Sequence, residues 1–440
     1  MLVESTGTAP ARGPADALSV SLLRSDGRLE PGGETVYPQI ARLLADAYPV
    51  MEINDAAAMT GFIERLTARA HDDETVWAVA RRQAEIVGAM RLYDFVMNLR
   101  GSEVMAGGLG SVAVSLLHKR QGVARAMIAW YIERYRARGA AFAVLHPFRP
   151  DFYRGLGFGY GTPMHRYSVT PATLRAEGAA GTVRALGGAD ADAVFACSER
   201  VRSHTNGLLR RRVDVLGRVL ADVAVRWIGV EENGTLRAFM QTSVVLGAEG
   251  TANANALMVR DFSAEDERYA AALFGYLRAQ QDQFARIVFE TQDDAFYLNA
   301  DDPRAGGDVV VAPPATHRVA ETGLGIMYRV LDCERALAAL GPSAVSCTLR
   351  IDLADPFFPP TAGARTFAFG PGHAPRPAAD ASPDVTLRLG IADFSSLVAG
   401  SLRLDDLLRH RLASVDPPAA RERVGELLDA PQRPHCMTRF

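Results

Sequence analysis

The stretch SVAVSLLHKRQGVAR, residues 111–125, reads as a short buried strand, a basic turn and a glycine that opens a helix. A helix start leaves its first backbone N–H groups without partners, so this order offers a row of donors to a pyrophosphate. Gly122 lets the backbone approach a ligand closely because it has no Cβ. Lys119, Arg120 and Arg125 put positive charge around the same turn. Alone, a KxxGxA turn is an ordinary strand-to-helix connection with solvated basic residues. Its position between SVAV and a long amphipathic helix favours a bound phosphate. The strand matters for its backbone as well: if its neighbour diverges, Val112 and Val114 expose amide groups that pair with a pantetheine, while their side chains belong to the core.

Working outward, residues 122–138 carry Val123, Met127, Trp130, Tyr131 and Tyr135 on one helical face, with Gly139 as a stop. AFAVL (141–145) is a further buried strand. FYRGLGFGYG (152–161) then sets Tyr153 beside a glycine-rich turn. The plain reading of Tyr153 is a core aromatic like Phe158 or Tyr160. A phenol with a pKa of about 10 also suits protonation of a departing thiolate, because the transfer is nearly matched. His146 is a candidate base or positioning donor, and Asp151 a cap for the short helix 150–156. Towards the N-terminus, strands at 17–24, 75–80 and 85–95 and helices at 35–48 and 56–69 complete a mixed α/β domain over residues 17–168, preceded by a flexible tail at 1–16.

A related pattern recurs over residues 169–316. Strands at 223–230 and 235–245 flank the hairpin signal Asn233-Gly234, and a strand at 256–262 is followed by an N-cap signal in Ser263 and Asp266 and a helix at 265–283. Here the turn is DFSAED, whose acids repel phosphate, so this second unit is expected to hold no cofactor. Residues 317–440 change character again. Alternating strands at 345–353 and 385–389 enclose a Pro/Gly-rich stretch, 355–383, that reads as loops or irregular strands. Helices at 391–399, 404–411 and 419–428 follow, and the polar tail PQRPHCMTRF ends the chain.

At 440 residues the chain divides into roughly two to four domains. A net charge of −3 argues against a general nucleic-acid surface. Four scattered cysteines without ligand spacing point to reduced thiols in a cytoplasmic protein and to no metal. No apolar stretch is long enough to span a bilayer, and the N-terminus lacks the features of a secretory signal.

On these residues the N-terminal part resembles the GNAT superfamily of acetyl-CoA-dependent N-acetyltransferases. Its turn is commonly Gln/Arg-x-x-Gly-x-Gly/Ala, and residues 119–124 (KRQGVA) depart only in the first position. SVAVSLLHKRQG, LHPFRPDFYRGLGFGYG, an altered second unit, the terminal aromatic and DVTLRLGIADFSSLVAGSLRLDDLL are together similar to the Eis (enhanced intracellular survival) family, which carries a sterol-carrier-protein-like domain. The resemblance implies tandem GNAT-type α/β domains followed by that domain, a homohexamer, and a tail that enters the active site. It implies acetyl-CoA contacts at Val112, Ala113, Val114, Arg120, Gln121, Gly122, Val123, Ala124 and Arg125, and at Phe148 and Arg149. Tyr153 matches the general acid. Phe440 matches the terminal residue whose main-chain carboxylate is the general base.

Aminoglycoside-acting members place an acid just before the terminal aromatic, where this chain has Arg439, and another near residues 323–325, where it has none. A strongly cationic acceptor favours an anionic cleft. The expected acceptor is therefore an amine-bearing small molecule or a lysine side chain, with a protein lysine or a small polyamine as the alternative to an aminoglycoside. A ligand-binding protein with a decayed acetyltransferase site is the alternative from another class.

Overall fold

A computed structural model describes residues 18–68, 75–247, 255–305, 316–438 and 440. The N-terminal part contains β1 (Leu18–Leu22), α1 (Tyr37–Ala47), α2 (Ala56–Ala68), β2 (Thr75–Arg82), β3 (Glu85–Leu99) and β4 (Ser102–Val114). It continues with α3 (Val123–Ala137), β5 (Phe142–Leu145), α4 (Pro150–Arg154), β6 (Gly159–Tyr160) and β7 (Met164–Val169). The middle holds β8 (Thr182–Leu186), α5 (Ala191–His204), α6 (Val213–Leu220), β9 (Arg226–Glu232), β10 (Thr235–Val245), β11 (Ala256–Ala264), α7 (Glu267–Arg278) and β12 (Arg286–Thr291). The last part comprises β13 (Ala320–Gly323), β14 (Met327–Val330), α8 (Cys333–Ala338), β15 (Cys347–Ala354), β16 (Gly363–Gly370) and β17 (His373–Pro377). β18 (Val385–Gly390), α9 (Ile391–Ala399), α10 (Leu404–Arg409), β19 (Ala413–Asp416) and α11 (Arg421–Leu428) complete it.

These elements form two compact bodies. One takes the chain up to Asp94, Ala106–His146 and Phe440; the other takes Phe95–Met105 and Pro147–Arg439. In the first body β1 pairs antiparallel with β2 and β2 with β3. β4 joins β5 in parallel from Ala106–Phe142 to Leu109–Leu145. Helix α1 buries Tyr37, Ile40, Leu43 and Leu44, a stripe at helical spacing, against Trp77, Val79 and Ala89. Helix α3 buries Val123, Met127, Ile128, Tyr131, Ile132 and Tyr135, with Trp130 only half-buried at the margin. Its tyrosines lock it to the sheet: the Tyr131 hydroxyl donates to the Gly107 carbonyl at 2.6 Å, and that of Tyr135 to the Asp94 carboxylate at 2.8 Å.

The second body contains a sheet in the order β13-β7-β12-β11-β10-β9-β8, antiparallel throughout except for the parallel β11–β12 pair. Strand alternation divides its side chains between two helical layers. Ile228, Val230, Ala238 and Met240 meet Leu273 and Leu277 of α7. Trp227, Leu236 and Phe239 meet Val194 and Cys197 of α5 and Leu216 and Leu220 of α6. The hairpin at Asn233-Gly234 forms with φ of 52° and 70°, the positive pair of a tight hairpin turn. A third sheet runs β17-β16-β15-β18-β19, with β15 and β18 parallel. Helix α9 is buried along its whole length. The Ser396 hydroxyl donates to the Tyr160 carbonyl at 2.8 Å, and the Ser395 hydroxyl accepts from the Val330 amide at 2.8 Å.

Several expectations change. The stretch 355–383, read as loops or irregular strands, contains the antiparallel hairpin β16–β17, whose register shifts between Ala368 and Gly370. Ser263 lies inside β11, leaving Asp266 alone as the cap of α7. The SVAV strand is the end of a strand that begins at Ser102. Helices α5, α6 and α8 and strands β14 and β19 were not anticipated. The expected flexible tail at residues 1–16 lies outside the described residues.

Candidate functional site

In the first body, β4 parts from β5. Their ladder ends at Leu109–Leu145, while β4 runs on to Val114. Ser111 takes a positive φ of 49°, a local kink in the strand just past the last paired residues. Beyond it, Val112, Ala113 and Val114 continue the strand. The Tyr48 hydroxyl donates to the Val112 carbonyl at 3.0 Å, and the Ser115 amide to the Val87 carbonyl at 2.9 Å. Ala113 is buried, and Val112 and Val114 are half-buried.

The basic turn leads into α3 through Gly122, the N-cap, at φ 81° and ψ 0°. A Cβ at Gly122 would meet nothing within 4 Å, so the glycine is required by its backbone conformation, and the space above it is open. No side chain caps α3, and its first turn contains no acid. The amides of Val123, Ala124 and Arg125 belong to the turn that lacks intrahelical acceptors. Lys119, Arg120, Gln121 and Arg125 are exposed around it. Arg82 holds Gln121 through its side-chain oxygen. An open, uncapped helix start ringed by cations fits a polyphosphate. By contrast, α7 is closed by the Asp266 carboxylate, which accepts from the Arg268 amide at 2.8 Å.

Phe440 belongs to this first body. Its carboxyl carbon lies 3.3 Å from the place where a Cβ on Gly110 would stand, and its oxygen 3.4 Å. The ring is held edge-on by Tyr93 at 5.4 Å and packs against His146 at 5.0 Å. The terminal carboxylate therefore sits beside β4 immediately after the strand leaves its partner. Gly110 and Tyr93 are the residues that sequence reasoning missed. The available signal was a glycine inside a strand, which often marks close approach of another backbone.

Phe148, Arg149 and Tyr153 belong to the second body. Tyr153 is 3% exposed. It packs edge-on against Phe152 at 5.1 Å, Phe158 at 5.9 Å and Phe148 at 6.2 Å. Arg149 is exposed and binds Asp151. Asp151 does not cap α4 as expected: the N-cap is Arg149, and the Asp151 carboxylate in the first turn takes the arginine instead. The reading attached to Arg439 falls on a position outside the described residues. Among the described residues no group of three or more His, Cys, Asp or Glu could hold a metal ion, and no helix is long and apolar enough to cross a membrane.

Residues 29–161 match the family described as an acetyltransferase (GNAT) domain, and residues 333–437 match the sterol carrier protein domain. Over 132 residues the chain is 33% identical to the N-acetyltransferase Eis of Mycobacterium tuberculosis (strain CDC 1551 / Oshkosh) and to that of Mycobacterium bovis (strain BCG / Pasteur 1173P2). That match covers 28% of this chain and spans a third of the length of those proteins. Among solved structures, a GCN5-related N-acetyltransferase from Kribbella flavida aligns with a TM-score of 0.74 at 22% identity, covering 98% of this chain and all of that one. Eis1 from Mycobacterium abscessus aligns at 0.66 and 20% identity, covering 83% and 90%. These structures share the fold: mixed α/β sheets of GNAT type followed by a sterol-carrier-like domain.

Proposed function

From a chain that joins a GNAT acetyltransferase domain to a sterol carrier protein domain and matches the Eis family, we propose an acetyl-CoA-dependent N-acetyltransferase. Its catalytic domain would occupy residues 17–168, a second GNAT-like domain 169–316 and the sterol-carrier-like domain 317–440. The observation that carries the reading is the carboxylate of Phe440 beside the diverging end of β4. The amides around Gly122 and the cations Arg120 and Arg125 suit the pyrophosphate of the cosubstrate, and Val112–Val114 its pantetheine; Phe148 and Arg149 are further contacts carried by the resemblance.

Bound acetyl-CoA supplies an activated thioester. The acceptor nitrogen bonds to the acetyl carbon and the carbon–sulfur bond breaks. The Phe440 carboxylate takes the proton from the nitrogen, and the Tyr153 phenol gives its proton to the sulfur. Backbone N–H groups of β4 would polarise the carbonyl.

The test is acetyl transfer to an amine panel, read as CoA release. Tyr153→Phe should lower turnover about tenfold or more with little change in acetyl-CoA affinity. A Gly-Ser extension after Phe440, which converts the carboxylate to an amide, should be severely damaging, whereas Phe440→Leu should be milder. Normal turnover in the extended protein would remove the terminal carboxylate from the mechanism and leave His146 as the next base. With Arg439 beside Phe440, a monoamine or a lysine peptide should be preferred to kanamycin. The resemblance extends the proposal to a cytoplasmic homohexamer, which light scattering on the purified protein would check.

A further inference from the structure

The second body repeats the strand divergence of the first. Its parallel ladder runs from Ala256–Arg286 to Val259–Phe289, after which β11 continues to Ala264 and leads into α7. In the first body the corresponding gap opens onto the uncapped start of α3. Here the helix start is closed by Asp266, with Glu267 in the first turn, and phosphate has no place.

The gap is instead used by the chain's own C-terminal segment. The Cys436 amide donates to the side-chain oxygen of Gln292, directly after β12, at 2.6 Å. Gln292 is fixed in turn by donating to the Thr162 carbonyl at 3.0 Å, and the Thr162 hydroxyl donates to the Pro434 carbonyl at 2.5 Å. The His435 amide donates to the Asn206 carbonyl at 2.7 Å. His435 and Met437 line a cavity of about 370 Å³ bounded by Asp261, Phe262 and Ser263 at the end of β11. They also line a second cavity, of about 250 Å³, bounded by Phe289 and Glu290 of β12.

We propose that the cleft between the ends of β11 and β12 is an anchor for residues 434–436, and that Gln292 is a positioning residue for the carboxylate of Phe440. This rests on the terminal-carboxylate reading above. Three residues separate Cys436 from Phe440, and the four Cα-to-Cα steps give a tether of at most about 14 Å. Fixing the backbone at Cys436 therefore restricts where the carboxylate can go, and a misplacement of about 1 Å at a reacting group can cost about a hundredfold in rate.

Cys436 supplies a readout independent of activity. It is fully buried, and burial pushes its thiol up to about 11, so it is inert while the segment is seated. In Gln292→Ala, iodoacetamide should label Cys436 at least about tenfold faster, located by peptide mass spectrometry, with Cys197, Cys333 and Cys347 unchanged. Turnover should fall about tenfold or more, with the KM for acetyl-CoA within about twofold. If Gln292→Ala does not fold, Thr162→Val removes one donor at constant shape, and Thr162→Ser, which keeps the hydroxyl, should restore both labelling rate and turnover. Parental protection of Cys436 in both Gln292→Ala and Thr162→Val would overturn the anchor. Rapid labelling of Cys436 with parental turnover would overturn the positioning role, and with it the terminal-carboxylate reading rather than the cleft.

Discussion

Gly110 shows how much chemistry an absent side chain can carry. A methyl group there would meet the Phe440 carboxyl carbon at 3.3 Å and the Tyr93 ring at 3.1 Å, so one of them must yield. Gly110→Ala should therefore fold normally by circular dichroism yet lose about tenfold to a hundredfold in turnover. A parental rate would show that the carboxylate does not act from this position. His435 gives a second expectation. Burial holds its imidazole below the ordinary 6.5, although Asp293 and Asp261 oppose this. Above about pH 6.5 both folded and unfolded forms are neutral there and stability is complete; below it the unfolded chain takes up the proton first and stability is lost. The fall in Tm between about pH 7.5 and 5.5 should be smaller in His435→Gln than in the parent.

At the scale of elements, the two strand-to-helix turns differ in a way that the sequence already displayed. HKRQGVAR has a glycine and cations, DFSAED has acids, and the structure leaves α3 open and caps α7. Asp266→Ala should lower the urea midpoint with an unchanged slope. Gly122→Glu, which puts a charged side chain into the open space over α3, should abolish the thermal stabilisation produced by acetyl-CoA. Amphipathic helices and buried strands were legible because their periodicity is local. Helix α5 was not, because its inner face includes Ser198 and Arg202, the latter buried through Glu199 and Glu103. Strands β16 and β17 were hidden by prolines and glycines, and β4 by its run AGGLG, in which small residues admit neighbouring groups. The site was legible only where motif and spacing coincide. That a chain end lies beside β4 is a long-range fact, carried here by resemblance and not by pattern.

At the scale of the molecule, the second body is tied together across its parts by a charge pair with no exposure to water. Arg329 on β14 binds the Asp355 carboxylate and donates to the Leu156 carbonyl at 2.6 Å. Both side chains are fully buried. Burial lowers the affinity of the guanidinium for its proton, and Asp355 works against that loss. Asp355→Ala leaves a buried cation without its partner and should destabilise the body by about 3–5 kcal/mol in denaturant titration. A double variant replacing both by apolar residues of similar volume should recover much of that loss.

The open start of α3 has a kinetic consequence. Lys119, Arg120 and Arg125 stand in water around it, so their pull on an approaching polyanion reaches about one Debye length, some 8–10 Å at physiological ionic strength. Ions in the medium weaken capture at that distance, but they do not reach groups packed away from solvent. Raising potassium chloride should therefore slow the encounter with acetyl-CoA, lowering kcat/KM for it, while kcat at saturation stays nearly flat.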